Sequence, residues 1–250
     1  MLRHASKIDG YSIGASDGPI GAVSDLLFDD VTWRVRWLVV DTGGFLGGRN
    51  VLLPPSALGA VNHIGRQLAV RLTKQQVKDS PEVAVDEPVS RRMETDLYDY
   101  YGWSPYWSTG FYMGGYGYDG GLGFSSRASE ADVARRAPGD THLRSVGEVT
   151  GYHIHARDGE IGHVADALIE DGDWSVHYLV VDTRNWWPGG RKVLLGLHWV
   201  DRFDWYAHKI HVRMTRADVK SSPVFEDVGS IHRDYETRLH EHAKRPGYWL

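Results

Sequence analysis

The sequence contains no cysteine. That excludes disulfides, thiolate metal sites and cysteine nucleophiles, and it leaves the redox compartment open. It also lacks any apolar run of the roughly 18 residues that a membrane-spanning helix needs, and residues Met1 to Gly10 hold no signal-peptide core. Excess positive charge is missing as well: 28 Lys and Arg stand against 33 Asp and Glu, for a formal net charge of -5. No general grip on nucleic acid or direct insertion into a membrane is expected from such a balance. The glycines sit outside any strand-to-helix phosphate loop, no HExxH pattern occurs, and no G-x-S-x-G nucleophile elbow is expected, since Gly14-Ala15-Ser16-Asp17-Gly18 runs into an Asp-Gly turn rather than a helix. The expectation is a cytoplasmic chain, reaching the inner face of a membrane through a partner if at all, with no catalytic residue, cofactor or metal.

What the sequence does have is repetition. Residues 10–42 laid on 151–183 share 19 of 33 identities, which chance does not supply. Gly10-Tyr11-x-Ile13 returns as Gly151-Tyr152-x-Ile154. Asp17-Gly18-x-Ile20-Gly21-x-Val23-x-Asp25 returns as Asp158-Gly159-x-Ile161-Gly162-x-Val164-x-Asp166. Leu38-Val39-Val40-Asp41-Thr42 returns as Leu179-Val180-Val181-Asp182-Thr183. One residue is then inserted, and at the new offset Arg49-x-Val51-Leu52-Leu53 matches Arg191-x-Val193-Leu194-Leu195. The register persists into the tails, where Arg91, Glu94, Leu97, Tyr106 and Trp107 face Arg233, Glu236, Leu239, Tyr248 and Trp249.

Within a copy the hydrophobic period is two: Trp33, Val35, Trp37 and Val39 share a face, against Arg34 and Arg36. Asp17-Gly18 and Asp158-Gly159 read as hairpin turns. Thr73 with Gln76, and Thr215 with Asp218, read as caps of one short helical turn. Val89, Met93, Leu97 and Tyr100, echoed by Ile231, Tyr235 and Leu239, place a short helix after each set of strands. The expected layout is a mainly β chain with strands over 5–83, a helical tail over 84–107, a Gly- and aromatic-rich linker over 108–145, strands again over 146–227 and a second tail over 228–250.

The repeated motifs, in this order, resemble the PRC-barrel domain. The resemblance implies two tandem small antiparallel β-barrels, each followed by a short C-terminal helix. That domain occurs in the cytoplasmic part of the photosynthetic reaction centre H subunit and in a ribosome maturation factor. This chain shows neither the membrane helix of the former nor the RNA-associated domain of the latter. Neither role transfers, and the expectation is a non-catalytic protein-binding or scaffold module with an unidentified protein partner, a second copy of the chain being one candidate. An alternative by the same resemblance is a membrane-associated accessory factor of photosynthetic or electron-transport assemblies.

Asp41-Thr42, Asp182-Thr183, Asp25 and Asp166 read as residues that end strands and cap turns through their own backbone. His153-x-His155 would share one strand face, so a metal-binding protein using second-copy histidines is a further alternative, although tetrahedral zinc needs three or four converging ligands. Trp103, Tyr106, Trp107, Trp186, Trp187, Tyr248 and Trp249 are the candidate anchors for a partner, because aromatic residues dominate interface hot spots. The competing reading is that they seal the ends of the sheets.

Overall fold

The protein is described by a computed structural model covering residues 1–81, 89–107, 142–186 and 189–249. Most of the expected linker, 108–141, lies outside the described residues. The chain is mainly β, with two sheets of seven strands. It divides into two compact units: Ile8–Arg144, called here the first-repeat unit, and Met1–Lys7 with Ser145–Leu250, the second-repeat unit.

In chain order the strands are β1 (Leu2–His4), β2 (Ser12–Ala15), β3 (Gly18–Asp29), β4 (Val35–Asp41), β5 (Asn50–Leu53), β6 (Leu58–Asn62) and β7 (Gln67–Val70). The series continues with β8 (Leu143–Ser145), β9 (His153–Ala156), β10 (Gly159–Glu170), β11 (Val176–Asp182), β12 (Lys192–Gly196), β13 (Val200–Asp204) and β14 (Lys209–Val212). Pairing in the first-repeat unit runs β5-β4-β3-β2-β7-β6, and in the second-repeat unit β12-β11-β10-β9-β14-β13. Along these two paths β2 with β7 and β9 with β14 are parallel and the other ladders antiparallel. The two paths have the same order, so the sequence repeat is also a structural one.

The off-path strands break that correspondence. β1 is the counterpart of β8, yet β1 pairs with β10 and β8 pairs with β3. Each long strand is thus completed by the leading strand of the other repeat.

Local chemistry explains most element ends. Thr73 and Thr215 form full capping boxes with Gln76 and Asp218. The Asp17 and Asp158 carboxylates each accept the backbone N–H that opens those short helices, from Lys74 and Arg216, both at 2.7 Å. The strand expected to begin at Trp33 begins at Val35. Trp33 and Trp174 instead have φ of 60°, in the left-handed region. They close turns in which Asp29 Oδ1 accepts the N–H groups of Val31 and Thr32, and Trp33 stacks on Phe28 with centroids 5.4 Å apart. The local hydrogen bonds of the turn override the period-two pattern there.

Asp25 and Asp166 lie inside twelve-residue strands, each at a register shift, rather than at strand ends. Each accepts the next residue's N–H, from Leu26 at 2.7 Å and Ala167 at 2.8 Å, which occupies a donor that the bulge takes out of the ladder. Asp166 does more, because its carboxylate also takes Ser6 Oγ at 2.5 Å, the Ser6 N–H at 3.2 Å and His4 Nδ1 at 2.8 Å. It therefore latches the incoming leading segment. Burial pushes the Asp166 carboxyl up, but the hydrogen bonds from His4, Ser6 and Ala167 outweigh it and hold the group below its usual range. A depressed folded-state value contributes stability that is present above the unfolded value, about 4, and lost as pH falls through the folded one. In urea unfolding of the second-repeat unit at pH 7, Asp166→Asn is expected to lower the midpoint, and the gap from the native chain should shrink at pH 3. A gap that is equal at the two pH values would remove the carboxylate from this role.

Candidate functional site

Each unit carries one buried glutamate surrounded by aromatic and basic side chains. In the first-repeat unit the helix Arg91–Tyr101 is opened by Ser90, whose hydroxyl accepts the Met93 N–H, and is closed by Gly102 in the left-handed region. This helix packs Leu97 and Tyr98 onto Trp37, Leu52 and Leu143, with Met93, Trp103, Tyr106 and Trp107 against the same cluster. Glu94, one turn before Tyr98, is fully buried there. Its carboxylate accepts the Trp37 indole N–H at 2.8 Å and the Tyr106 hydroxyl at 3.1 Å, and it lies 3.2 Å from His142 Nε2 and 3.6 Å from Arg91. Arg36 lies over the Tyr106 ring at 3.8 Å and Arg91 over Trp107 at 3.9 Å.

The second-repeat unit builds the same arrangement on the helix Arg233–His242. Glu236 accepts the hydroxyls of Tyr178 at 3.0 Å and Tyr248 at 2.8 Å, and pairs with Arg233 at 3.2 Å. Arg233 in turn covers Trp249 at 4.2 Å. Tyr178 occupies the position of Trp37, so a different donor reaches the same acceptor. A histidine is present in both, from different places in the chain: His142 Nε2 lies 2.8 Å from the Tyr106 hydroxyl and His240 Nε2 lies 3.0 Å from that of Tyr178. Burial pushes the His240 imidazole below its ordinary value, and its Nδ1 faces the Pro246 carbonyl at 2.9 Å. Burial first, and the nearby glutamate second, push the hydroxyls of Tyr106, Tyr178 and Tyr248 well above their ordinary value. They stay protonated and act as donors, so the arrangement braces the helix against the sheet.

The Asp-Thr pairs and the arginines that follow them are engaged in hydrogen bonds within their own units. Asp41 accepts the Gly43 N–H at 2.8 Å, and Asp182 the Arg184 N–H at 2.9 Å together with the Arg184 side chain. Thr42 and Thr183 donate to the carbonyls of Arg49 and Arg191, both at 2.6 Å. Arg49 and Arg191 then reach carbonyls in the last turn of the short helices and just beyond it.

Of the candidate anchors, Trp103, Tyr106 and Trp107 pack on the core of their own unit, and Tyr248 and Trp249 stack around His240. Trp186 is half-buried, with His153 and His163 rings 5.8 and 5.7 Å away. Trp187 lies outside the described residues. His153 and His155 share the outer face of β9, where His155 meets His211 at 5.0 Å and His153 lies 3.8 Å from Glu160. Among the described residues no group of three or more His, Asp or Glu is placed to hold a metal ion, and no helix is long and apolar enough to cross a membrane.

The most exposed apolar side chains are Ile64, 100% accessible, and Tyr206, 99%. They occupy equivalent positions at the tips of the β6–β7 and β13–β14 hairpins. Arg66 and His208, with φ of 51° and 52°, close both tips. Behind them Arg66 lies over Tyr11, and His208 stacks on Tyr152 at 4.9 Å.

Two comparisons place this architecture. The chain is 38% identical over 92 residues to an uncharacterized protein of Deinococcus radiodurans, an alignment covering 36% of this chain and spanning only 33% of that protein. Residues 3–77, which supply β2 to β7 of the first-repeat unit, match the family model of the PRC-barrel domain.

Proposed function

We propose that the chain is a non-catalytic binding module in which two PRC-type units present their outer loops to a protein partner. The observation that supports this most directly is the division of labour among the side chains. Polar residues shared by the repeats are occupied by internal hydrogen bonds, whereas the most exposed apolar residues, Ile64 and Tyr206, stand at one equivalent place in both copies. A fully exposed Ile or Tyr on a turn held by a left-handed residue gains nothing from folding and is free to bury its surface on another molecule. Trp186, beside His153 and His163, extends the candidate face in the second-repeat unit.

A photo-crosslinking residue in place of Tyr206 tests the reading in cells. One discrete protein adduct is expected, and it should be lost when Ile64 is also replaced by serine or when the probe is moved to exposed Lys78. A smear of adducts independent of position would overturn the reading.

A further inference from the structure

The edge that receives the leading strand is a built recognition site, and it is built twice. On β10 it runs over Leu168–Glu170, beyond His163 where pairing with β9 stops. β1 fills it in register, Leu2 opposite Glu170, Arg3 opposite Ile169 and His4 opposite Leu168. Three contacts select the segment: Leu2 is buried, Arg3 Nε donates to Asp171 at 2.7 Å, and the Asp171 N–H donates to the Met1 carbonyl at 3.1 Å. β3 repeats all three with β8. Leu143 is buried, Arg144 Nε lies 3.4 Å from Asp30, and the Asp30 N–H donates to the His142 carbonyl at 3.2 Å.

Both segments begin Leu-Arg, and both sites end in an aspartate at the same position. In both, the donor belongs to the repeat that does not build the site. The contacts come from the segment's own backbone, leucine and arginine, so any copy of the segment that reaches the edge can make them.

We propose that the β10 edge also accepts Leu2 to Ser6 of a second copy of this chain, giving a strand-exchanged dimer. Each copy then donates the segment that it receives, which makes the contact isologous and closed. The chain's own segment competes from an effective concentration on the order of millimolar. Exchange therefore takes place when concentrated chains fold together, not when folded chains are mixed.

The absence of native cysteine allows a direct test. Met1 pairs with Asp171 through the backbone, so Leu2 and Glu170 form the neighbouring pair whose side chains approach closely. Full chains carrying Leu2→Cys and full chains carrying Glu170→Cys are unfolded together, refolded over a range of concentrations and oxidised. A mixed disulfide dimer is expected whose fraction rises with concentration and exceeds that of Leu2→Cys with an exposed Tyr100→Cys control. A mixed product at the control level at every concentration, beside efficient internal linkage in a chain carrying both cysteines, would overturn the proposal. If the cysteine chains do not refold, the native chain refolded at the same concentrations is read by sedimentation after dilution. A persisting dimer supports exchange, and monomer throughout overturns it.

Discussion

Glu94→Ala is expected to cost the first-repeat unit about 3 to 5 kcal/mol, a large part of the roughly 5 to 15 kcal/mol that stabilises a domain. The loss comes from what the carboxylate leaves behind. The Trp37 indole N–H and the Tyr106 hydroxyl are buried donors that lose their acceptor, and Arg91 and His142 lose the anion beside them. Glu94→Gln keeps the shape and one acceptor oxygen, so it should cost less than half as much. Glu236→Ala should do the same to the second-repeat unit, where Tyr178 and Tyr248 are the stranded donors. Urea unfolding followed by tryptophan fluorescence reads both. If each alanine variant stays within about 1 kcal/mol of the native chain, the glutamates are not what hold the helices to the sheets.

The brace shows where sequence reading reaches its limit. Glu94 and Glu236 were visible as a repeated letter, and Tyr106, Trp107, Tyr248 and Trp249 as repeated aromatics. Their connection was not visible, since it depends on helix Arg91–Tyr101 returning to Trp37, more than fifty residues earlier. The available clue was a glutamate placed three and four positions before Leu97 and Tyr98, on the buried stripe of an amphipathic helix. The two histidines gave no such clue, because His142 and His240 come from unrelated positions in their repeats. Trp37 and Tyr178 differ in identity, yet both are large rings with one polar hydrogen, and it is that property which the site keeps.

Other features were legible because their causes are local. The capping threonines, the Asp-Gly hairpins and the strand order follow from short-range chemistry that the repeat displays twice. The exchange of β1 and β8 is of a different kind. Self-similarity identifies equivalent segments, but it says nothing about which copy an equivalent segment joins. Leu2-Arg3 and Leu143-Arg144 suit either long strand, so the choice is fixed by chain connection and not by residue type.

Gly21 allows a comparison that separates conserved shape from conserved chemistry. A Cβ at Gly21 would lie 2.0 Å from the Asp41 carbonyl oxygen and 2.8 Å from Thr42 Cα, and at Gly162 it would lie 2.6 Å from the Asp182 carbonyl. Those atoms are backbone and cannot swing aside. They also belong to the Asp-Thr pair that caps the next turn and ties down Arg49 or Arg191, so displacing them loosens several hydrogen bonds at once. Gly21→Ala is therefore expected to cost about 3 kcal/mol, read as a shift of the urea midpoint. Gly14, in the same hairpin, has nothing within 4 Å of its would-be Cβ, and its counterpart in the other repeat is His155. Gly14→Ala should stay within about 1 kcal/mol. Were the two alanine variants equally stable, close approach of β3 to the end of β4 would not be the reason a glycine stands at both 21 and 162. The repeated Asp-Thr pairs would then need an explanation other than the shape of the sheet.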